Sequence, residues 1–94
     1  MKNNLTDKIA LITGAANGIG FADAKLFLLK GAKVAFCDLL KNEVEKAEKG
    51  LKKYGEVLAK TADVRDEKDV RRFAGEVMSH YGRVDILVNN AGIL

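Results

Sequence analysis

Short apolar runs alternate with longer amphipathic stretches along this chain. The apolar runs are typical of buried strands and lie at 8–13, 33–38, 56–61 and 84–88. Each amphipathic stretch between them closes at a glycine, namely Gly31, Gly55 or Gly82, as helices commonly do. Strands that alternate with helices in this way form parallel sheets with right-handed crossovers, so the chain is predicted to be an α/β protein.

The doubly wound, Rossmann-like parallel sheet is the architecture that this alternation favours. It arranges the four strands in the order 3-2-1-4 and has two further strands beside strand 4. Ninety-four residues allow one domain and no more. We therefore expect residues 1–94 to be the N-terminal portion of a single domain, truncated after its fourth strand.

Apolar spacing also predicts which face of each helix is buried. In the first helix, predicted over residues 19–30, this face comprises Ile19, Ala22, Leu26 and Leu29. In the second it comprises Val44, Ala47, Leu51 and Tyr54, and in the third Val70, Phe73, Ala74, Val77, Met78 and Tyr81. Asp66 is the predicted N-cap of the third helix, and Asp69 stands at the capping-box position.

Composition and charge argue against several classes of partner. No apolar run approaches the roughly 20 residues of a membrane span, so no membrane partner is expected. The net charge is only +3, and the densest basic run, 41–53, is interleaved with three glutamates and lacks aromatic residues, so a solvated helix face is favoured over nucleic-acid binding. The one cysteine, Cys37, is an expected core residue and suits a reducing compartment, which predicts a cytoplasmic location.

A glycine-rich turn, TGAANGIG at 13–20, joins the first strand to the first helix. Glycines at such a turn permit a tight bend, a close approach of the backbone to a phosphate, and close packing of the helix on the sheet. The N–H groups and dipole of the helix then attract a pyrophosphate. The alternative is an ordinary strand–helix turn, because the spacing G-x-x-x-G-x-G differs from the common G-x-G-x-x-G.

Asp38 ends the second strand, eighteen positions after Gly20 and close to the roughly 20 expected of the acid that binds an adenosine ribose. A carboxylate there accepts hydrogen bonds from both ribose hydroxyls and repels a 2′-phosphate. This favours NAD over NADP as the cofactor. The alternative is a surface acid that merely ends a strand.

Four segments together resemble the N-terminal half of a short-chain dehydrogenase/reductase. They are TGAANGIG at 13–20, Asp38, Ala62-Asp63-Val64, and Asn89-Asn90-Ala91-Gly92. All four occur in the register of that family between about Lys8 and Leu94. The stretches 28–35 and 82–88 are similar to a narrower group within it.

The resemblance implies a set of NAD-binding residues, which are Gly14, Asn17, Gly18, Ile19, Gly20, Asp38, Leu39, Ala62, Asp63, Val64, Asn90, Ala91 and Gly92. By this resemblance, the segment 14–20 shapes and lines the pyrophosphate turn. Asp38 holds the adenosine ribose, and Leu39 and the segment 62–64 lie beside the adenine. The segment 90–92 runs along the cofactor's ribose, and Asn89 ties the central strands together.

The family's catalytic serine and Y-x-x-x-K pair have no match in this sequence. Tyr54 is followed four positions later by Leu58, and Tyr81 by Asp85, so both tyrosines are expected to pack against the core. No cluster of residues has metal-ligand spacing. We therefore predict no catalytic residue and no metal site in this chain.

Two functional readings remain open. The first is the NAD-binding portion of an oxidoreductase that transfers hydride between NAD and a small secondary alcohol or ketone, with a homo-oligomer expected only for a longer form. The second is a stand-alone, non-catalytic module for nucleotide binding or for interaction. Its difficulty is the fourth strand, which would leave an apolar edge unpaired.

Overall fold

Strands and helices alternate throughout the residues that the computed structural model describes, 4–16 and 18–90. The elements are β1 (Ile9–Thr13), α1 (Gly18–Leu29), β2 (Lys33–Asp38), α2 (Lys41–Lys52), β3 (Val57–Thr61), α3 (Glu67–Tyr81) and β4 (Ile86–Asn89). Their number and order are those predicted from the sequence, and the bounds differ by only a few residues.

The four strands form one parallel sheet in the order β3-β2-β1-β4, as predicted. Thr13 at the end of β1 pairs with Cys37 of β2 and with Asn89 of β4. Asp38 pairs with Thr61 at the end of β3. The carboxyl ends of all four strands therefore meet at one edge of the sheet.

A hydrophobic core lies on each face of this sheet. One core packs α1 and α2 on the sheet around Ile12, Phe36 and Leu51, and includes the predicted Val44 and Ala47. The other packs α3 on the opposite face and contains Leu11, Cys37, Ala62, Phe73 and Val77. Burial raises the pKa of the Cys37 thiol to about 12, so this side chain stays neutral and acts as a small core residue, as expected.

α1 turns a different face to the sheet from the one that its hydrophobic spacing predicts. The predicted residues Ile19, Ala22, Leu26 and Leu29 are exposed, and Ile19 is 75% exposed. Gly20, Ala24 and Leu28 are buried instead. A Cβ placed on Gly20 would lie 2.1 Å from the carbonyl oxygen of Gly14, so the helix comes closer to the turn than any larger residue would allow. The absence of a side chain at Gly20 thus decides which face of α1 packs against the sheet.

α3 buries Phe73 and Val77 completely, as predicted, but the expectation for Met78 is wrong, because 48% of this residue is exposed. Successive helical residues are rotated by about 100° around the axis. Met78 therefore lies about 100° from Val77, beyond the half-buried flank formed by the other predicted residues, which are Val70, Ala74 and Tyr81.

The first turn of α3 is capped by Asp66, whose side chain accepts the backbone N–H of Lys68 at 3.0 Å. The predicted capping box is wrong. The Asp66 N–H donates to the carbonyl oxygen of Asp63 at 2.9 Å and so already has a partner. Asp69 instead accepts the backbone N–H of Asp63 at 2.7 Å, which joins the helix to the end of β3.

Candidate functional site

The segments predicted to bind a cofactor converge at the carboxyl edge of the sheet. Backbone hydrogen bonds join neighbouring segments there: the Gly14 N–H donates to the Cys37 carbonyl at 2.8 Å, and the Ala62 N–H donates to the Asp38 carbonyl at 2.9 Å. The Asn90 N–H donates to the carbonyl of Thr13 at 3.1 Å. Three of the predicted residues, Asn17, Ala91 and Gly92, lie outside the described residues.

The glycine turn has the conformation that its sequence suggests. Gly14 and Gly18 have φ values of +77° and +64°, which L side chains rarely adopt. A Cβ at Gly18 would meet no atom within 4 Å, so the space beside it is open. α1 begins at this glycine, and its first turn carries no acidic side chain. The positive end of the helix dipole at this glycine favours the binding of an anion.

Asp38 lies at the end of β2 with its half-buried side chain directed at the glycine turn. Its Oδ2 accepts the backbone N–H of Ala16 at 2.9 Å, and its Oδ1 accepts the N–H of the exposed Leu39 at 2.8 Å. An ionised carboxylate offers about four acceptor positions. Counting contacts from the described residues alone, two positions remain, which is the number that a pair of ribose hydroxyls requires.

The segment after β3 combines a buried anchor with a charged side chain. Ala62 is buried, and Val64 is half-buried against the second core. Between them, Asp63 forms an ion pair with Arg65, whose Nε lies 3.1 Å from Oδ1. Hydrogen bonds from the Arg65 side chain and backbone lower the pKa of Asp63, so its carboxylate is ionised near neutral pH.

Sequence reasoning missed the residues that hold Asp63 in place. Asp69 accepts the Asp63 N–H, and Arg72 in turn pairs with Asp69 at 2.7 Å. The pKa of Asp69 is lowered first by the Asp63 N–H and then by Arg72. An acid and an arginine three positions apart on a helix are an ordinary surface pair, so the spacing alone gave no sign of this role.

The end of β4 carries two asparagines with different surroundings. Asn89 Oδ1 accepts the hydroxyl of Thr13 at 2.9 Å, which ties β4 to β1. The side-chain nitrogen of Asn90 is buried and has no hydrogen-bond partner among the residues that the structure describes. A buried donor without an acceptor is costly unless a ligand supplies one, so Asn90 fits a residue that contacts a bound cofactor.

A cleft of about 500 Å³ opens beside the glycine turn, between α1 and α2. Its lining residues are Ala16, Gly18, Phe21, Glu43, Lys46, Ala47 and Gly50.

Within 4–16 and 18–90, no group of His, Cys, Asp and Glu side chains could hold a metal ion. In the same residues, no helix is long and apolar enough to span a bilayer.

The family model for the short chain dehydrogenases matches residues 8–94 of this sequence. The chain belongs to the short-chain dehydrogenase family. Among curated members, it is 44% identical over 93 residues to 15-hydroxyprostaglandin dehydrogenase of Mus musculus, whose name specifies NAD(+). It is 41% identical over 87 residues to meso-2,3-butanediol dehydrogenase of Serratia marcescens. The first of these enzymes represents the narrower group that 28–35 and 82–88 resemble.

These matches cover most of this short-chain dehydrogenase chain but only part of each relative. The match to the mouse enzyme covers 96% of this chain and 35% of the mouse enzyme. The match to the Serratia enzyme covers 93% of this chain and 34% of the Serratia enzyme. The chain thus spans about a third of the length of these curated relatives.

Solved structures of the family have the same fold in this region. An NAD+-bound xylitol dehydrogenase superposes with a TM-score of 0.90 at 32% identity, over 96% of this chain and 35% of its own. An NADP complex of RhlG from Pseudomonas aeruginosa superposes with a TM-score of 0.87 at 38% identity, over 95% of this chain and 36% of its own. Similar backbones therefore serve both cofactors.

Proposed function

We propose that residues 1–94 bind NAD as the cofactor-binding portion of a short-chain dehydrogenase, which transfers hydride between NAD and a small secondary alcohol or ketone. One observation carries the proposal. The Asp38 carboxylate stands against the glycine turn at Ala16, and contacts from the part of the chain that the structure describes leave two of its acceptor positions for a ligand. A bound dinucleotide places its ribose hydroxyls at an acid after the second strand and its pyrophosphate at a glycine turn after the first.

The glycine turn holds the pyrophosphate. Gly14 and Gly18 give the turn its left-handed conformation, and Gly20 lets α1 start close to the sheet. The open space at Gly18 and the helix dipole favour a dianionic group there. We propose that Ile19, which is exposed, and Asn17, which lies outside the described residues, also contact the pyrophosphate.

The base and ribose contacts follow from neighbouring segments. Asp38 accepts the adenosine ribose hydroxyls, and its negative charge disfavours the 2′-phosphate of NADP. Leu39 and the segment 62–64 border the adenine. Asn90, whose side-chain nitrogen lacks a partner among the described residues, donates to the cofactor with the segment 91–92 beside it. Bound NAD supplies the hydride acceptor, and these residues orient it.

The complete reaction needs groups outside the proposed NAD site. In this family a serine and a Y-x-x-x-K pair handle the substrate proton, and the 94-residue sequence contains no such pair. We propose that a longer form carries them, acts on the alcohol or ketone, and forms the homo-oligomer. We also place the protein in the cytoplasm, and we propose neither a membrane nor a nucleic-acid partner.

Calorimetric titration of the chain with NAD, NADP and ADP-ribose tests the cofactor proposal. We expect saturable binding of NAD and ADP-ribose, and NADP binding weaker by about tenfold or more. Asp38→Ala should weaken NAD binding, whereas Glu45→Ala, which removes an exposed acid on α2, should not. A sample with native circular dichroism that fails to bind NAD at millimolar concentration would refute the proposal.

An interaction module is the second candidate, and one observation favours it. Leu87 on the edge strand β4 is 69% exposed, and such an edge can pair with a strand of another chain. Light scattering separates the two readings. NAD binding by a monomer supports the cofactor role, whereas stable association that Leu87→Lys abolishes, in a chain that does not bind NAD, supports the module.

A further inference from the structure

We propose that Arg65 is a positioning residue that gives the nucleotide site its preference for adenine by orienting the carboxylate of Asp63. This inference rests on the proposed NAD site and assigns one further residue to it. The alternative is that Arg65 and Asp63 form an ordinary surface ion pair without influence on a ligand.

Arg65 holds the Asp63 carboxylate at three points. Its backbone N–H donates to Oδ1 at 2.9 Å, its Nε donates to the same oxygen at 3.1 Å, and its Nη2 donates to Oδ2 at 3.3 Å. A two-point contact with the planar guanidinium fixes the plane of the carboxylate, which a single hydrogen bond would leave free to rotate.

The contacts from Arg65 leave the Asp63 carboxylate one position at which it can accept a hydrogen bond from a ligand. An ionised carboxylate has about four such positions, two on each oxygen. The contacts from Arg65 fill both positions on Oδ1 and one on Oδ2 of Asp63. Among the residues that the structure describes, no other group fills the remaining position on Oδ2, which can accept one hydrogen bond from a ligand in a direction that the arginine determines.

The backbone of Asp63 is fixed as well. Its N–H donates to Asp69 at 2.7 Å, and two guanidinium nitrogens of Arg72 lie 2.7 and 3.2 Å from the other oxygen of that acid. Ala62 is hydrogen-bonded to Asp38. The backbone that carries the Asp63 carboxylate is therefore joined both to α3 and to the strand end at Asp38, the residue that is proposed to hold the ribose.

One oriented acceptor distinguishes bases by their exocyclic group. The adenine 6-amino group is a hydrogen-bond donor, and it can donate to the open position of Oδ2. Hypoxanthine carries a carbonyl oxygen at the same place, which brings two acceptors together. A site built to pair with a donor rejects the analogue that lacks it, and the rejection depends on how well the acceptor is held.

The test compares NAD with nicotinamide hypoxanthine dinucleotide by calorimetry. The wild-type chain should prefer NAD, and Arg65→Gln should reduce this preference by about three- to tenfold, because the acceptor on Asp63 remains but its direction is no longer held by the guanidinium. Arg65→Lys keeps the charge without the two-point geometry and should recover only part of the preference. Arg71→Gln is the matched control, because Arg71 also forms an exposed ion pair on α3, with Glu67 at 2.8 Å.

The outcomes separate the two proposals. If the wild type binds neither dinucleotide, the NAD site is refuted. If it binds both but Arg65→Gln and wild type show the same preference, the role of Arg65 is refuted and the site stands. NMR couplings that report the χ1 rotamer of Asp63 give a readout without ligand. One rotamer in wild type and averaging in Arg65→Gln support the inference, and an unchanged rotamer overturns it.

Discussion

Asp38 Oδ2 accepts the backbone N–H of Ala16 at 2.9 Å, so the acid at the end of β2 is joined directly to the glycine turn after β1. The two groups proposed to receive ribose and pyrophosphate are therefore one hydrogen-bonded unit. A change at Asp38 should consequently affect both the selectivity for the cofactor and the geometry of the turn.

Asp38→Ala and Asp38→Asn should separate these two effects. The alanine variant loses the ribose acceptor and the contact with Ala16, and we expect NAD binding to weaken by about 1.5–3 kcal/mol, or tenfold or more in Kd. The asparagine variant keeps an oxygen for the Ala16 N–H but loses the charge, so it should discriminate less against NADP while retaining more affinity for NAD. Equal NAD affinities for the two variants would contradict the role of the Ala16 contact.

Gly20→Ala should destabilise the fold and disturb the turn. Its Cβ would lie 2.1 Å from the Gly14 carbonyl oxygen, and because this atom belongs to the backbone, α1 must shift. We expect a loss of about 1–3 kcal/mol in the free energy of unfolding, measured by urea denaturation. Gly75→Ala is the control, since its Cβ would meet no atom within 4 Å and α3 should gain about 0.5–1 kcal/mol. Similar effects of the two substitutions would be inconsistent with the close approach of α1.

Leu28→Ala and Leu26→Ala test which face of α1 is buried. Leu28 is 4% exposed and Leu26 is 49% exposed. Truncation of the buried leucine should cost about 2–5 kcal/mol in the free energy of unfolding, whereas that of the exposed leucine should change it by about 0.5 kcal/mol or less. Thermal or urea unfolding of both variants provides the comparison. A larger loss of unfolding free energy for Leu26→Ala than for Leu28→Ala would show that the face predicted from hydrophobic spacing is the buried one.

Asp85 should make the stability of the fold depend on pH at the acidic end. Its Oδ2 accepts the Ile9 N–H at 2.8 Å and the Arg83 Nε at 2.9 Å. The Ile9 N–H first, and then Arg83, lower the pKa of Asp85 below its ordinary value. A carboxylate with a lowered pKa in the folded state stabilises the protein above its unfolded pKa of about 3.9, and this contribution is lost as the pH falls through the folded value.

The measurement is the urea midpoint between pH 7 and pH 2 for wild type, Asp85→Asn and Glu67→Gln. The asparagine variant should start with a lower midpoint at pH 7 and lose less of it on acidification. In residues 4–16 and 18–90, Glu67 pairs only with the exposed Arg71 on its own helix, so its variant should follow the wild-type curve. Parallel curves for wild type and Asp85→Asn would show that the contacts of Asp85 with Ile9 and Arg83 do not cause the pH dependence.

The elements and much of the proposed site follow from short-range patterns. A strand buried on both faces reads as a continuous apolar run, and Gly14 and Gly18 mark a conformation that other residues rarely adopt. The parallel alternation then implies that the residues after each strand meet at one edge. Asp38 could therefore be predicted at this edge from its spacing, whereas the roles of the segments 62–64 and 90–92 rest on the resemblance to the family.

Hydrogen-bond partners between segments could not be predicted in this way. Asp69 stands at the spacing of a capping box, yet it accepts the N–H of Asp63, because the N–H of Asp66 already has a partner in the turn. The contact between Asp38 and Ala16 likewise depends on the distance between two strand ends. Such choices are set by the path of the backbone in three dimensions, and spacing along the chain does not contain them.

The sequence by itself determined the order of strands and helices, the parallel sheet and the edge at which polar residues gather, because alternating periodicity and glycine positions are local properties. Only the tertiary structure decided which face of α1 is buried and which groups hold Asp63. Hydrophobic spacing favoured Ile19 and Leu26, but the clearance between Gly20 and the Gly14 carbonyl oxygen determined the rotation of the helix. Steric fit between segments outweighed hydrophobicity there, because a close approach is possible only where side chains are small.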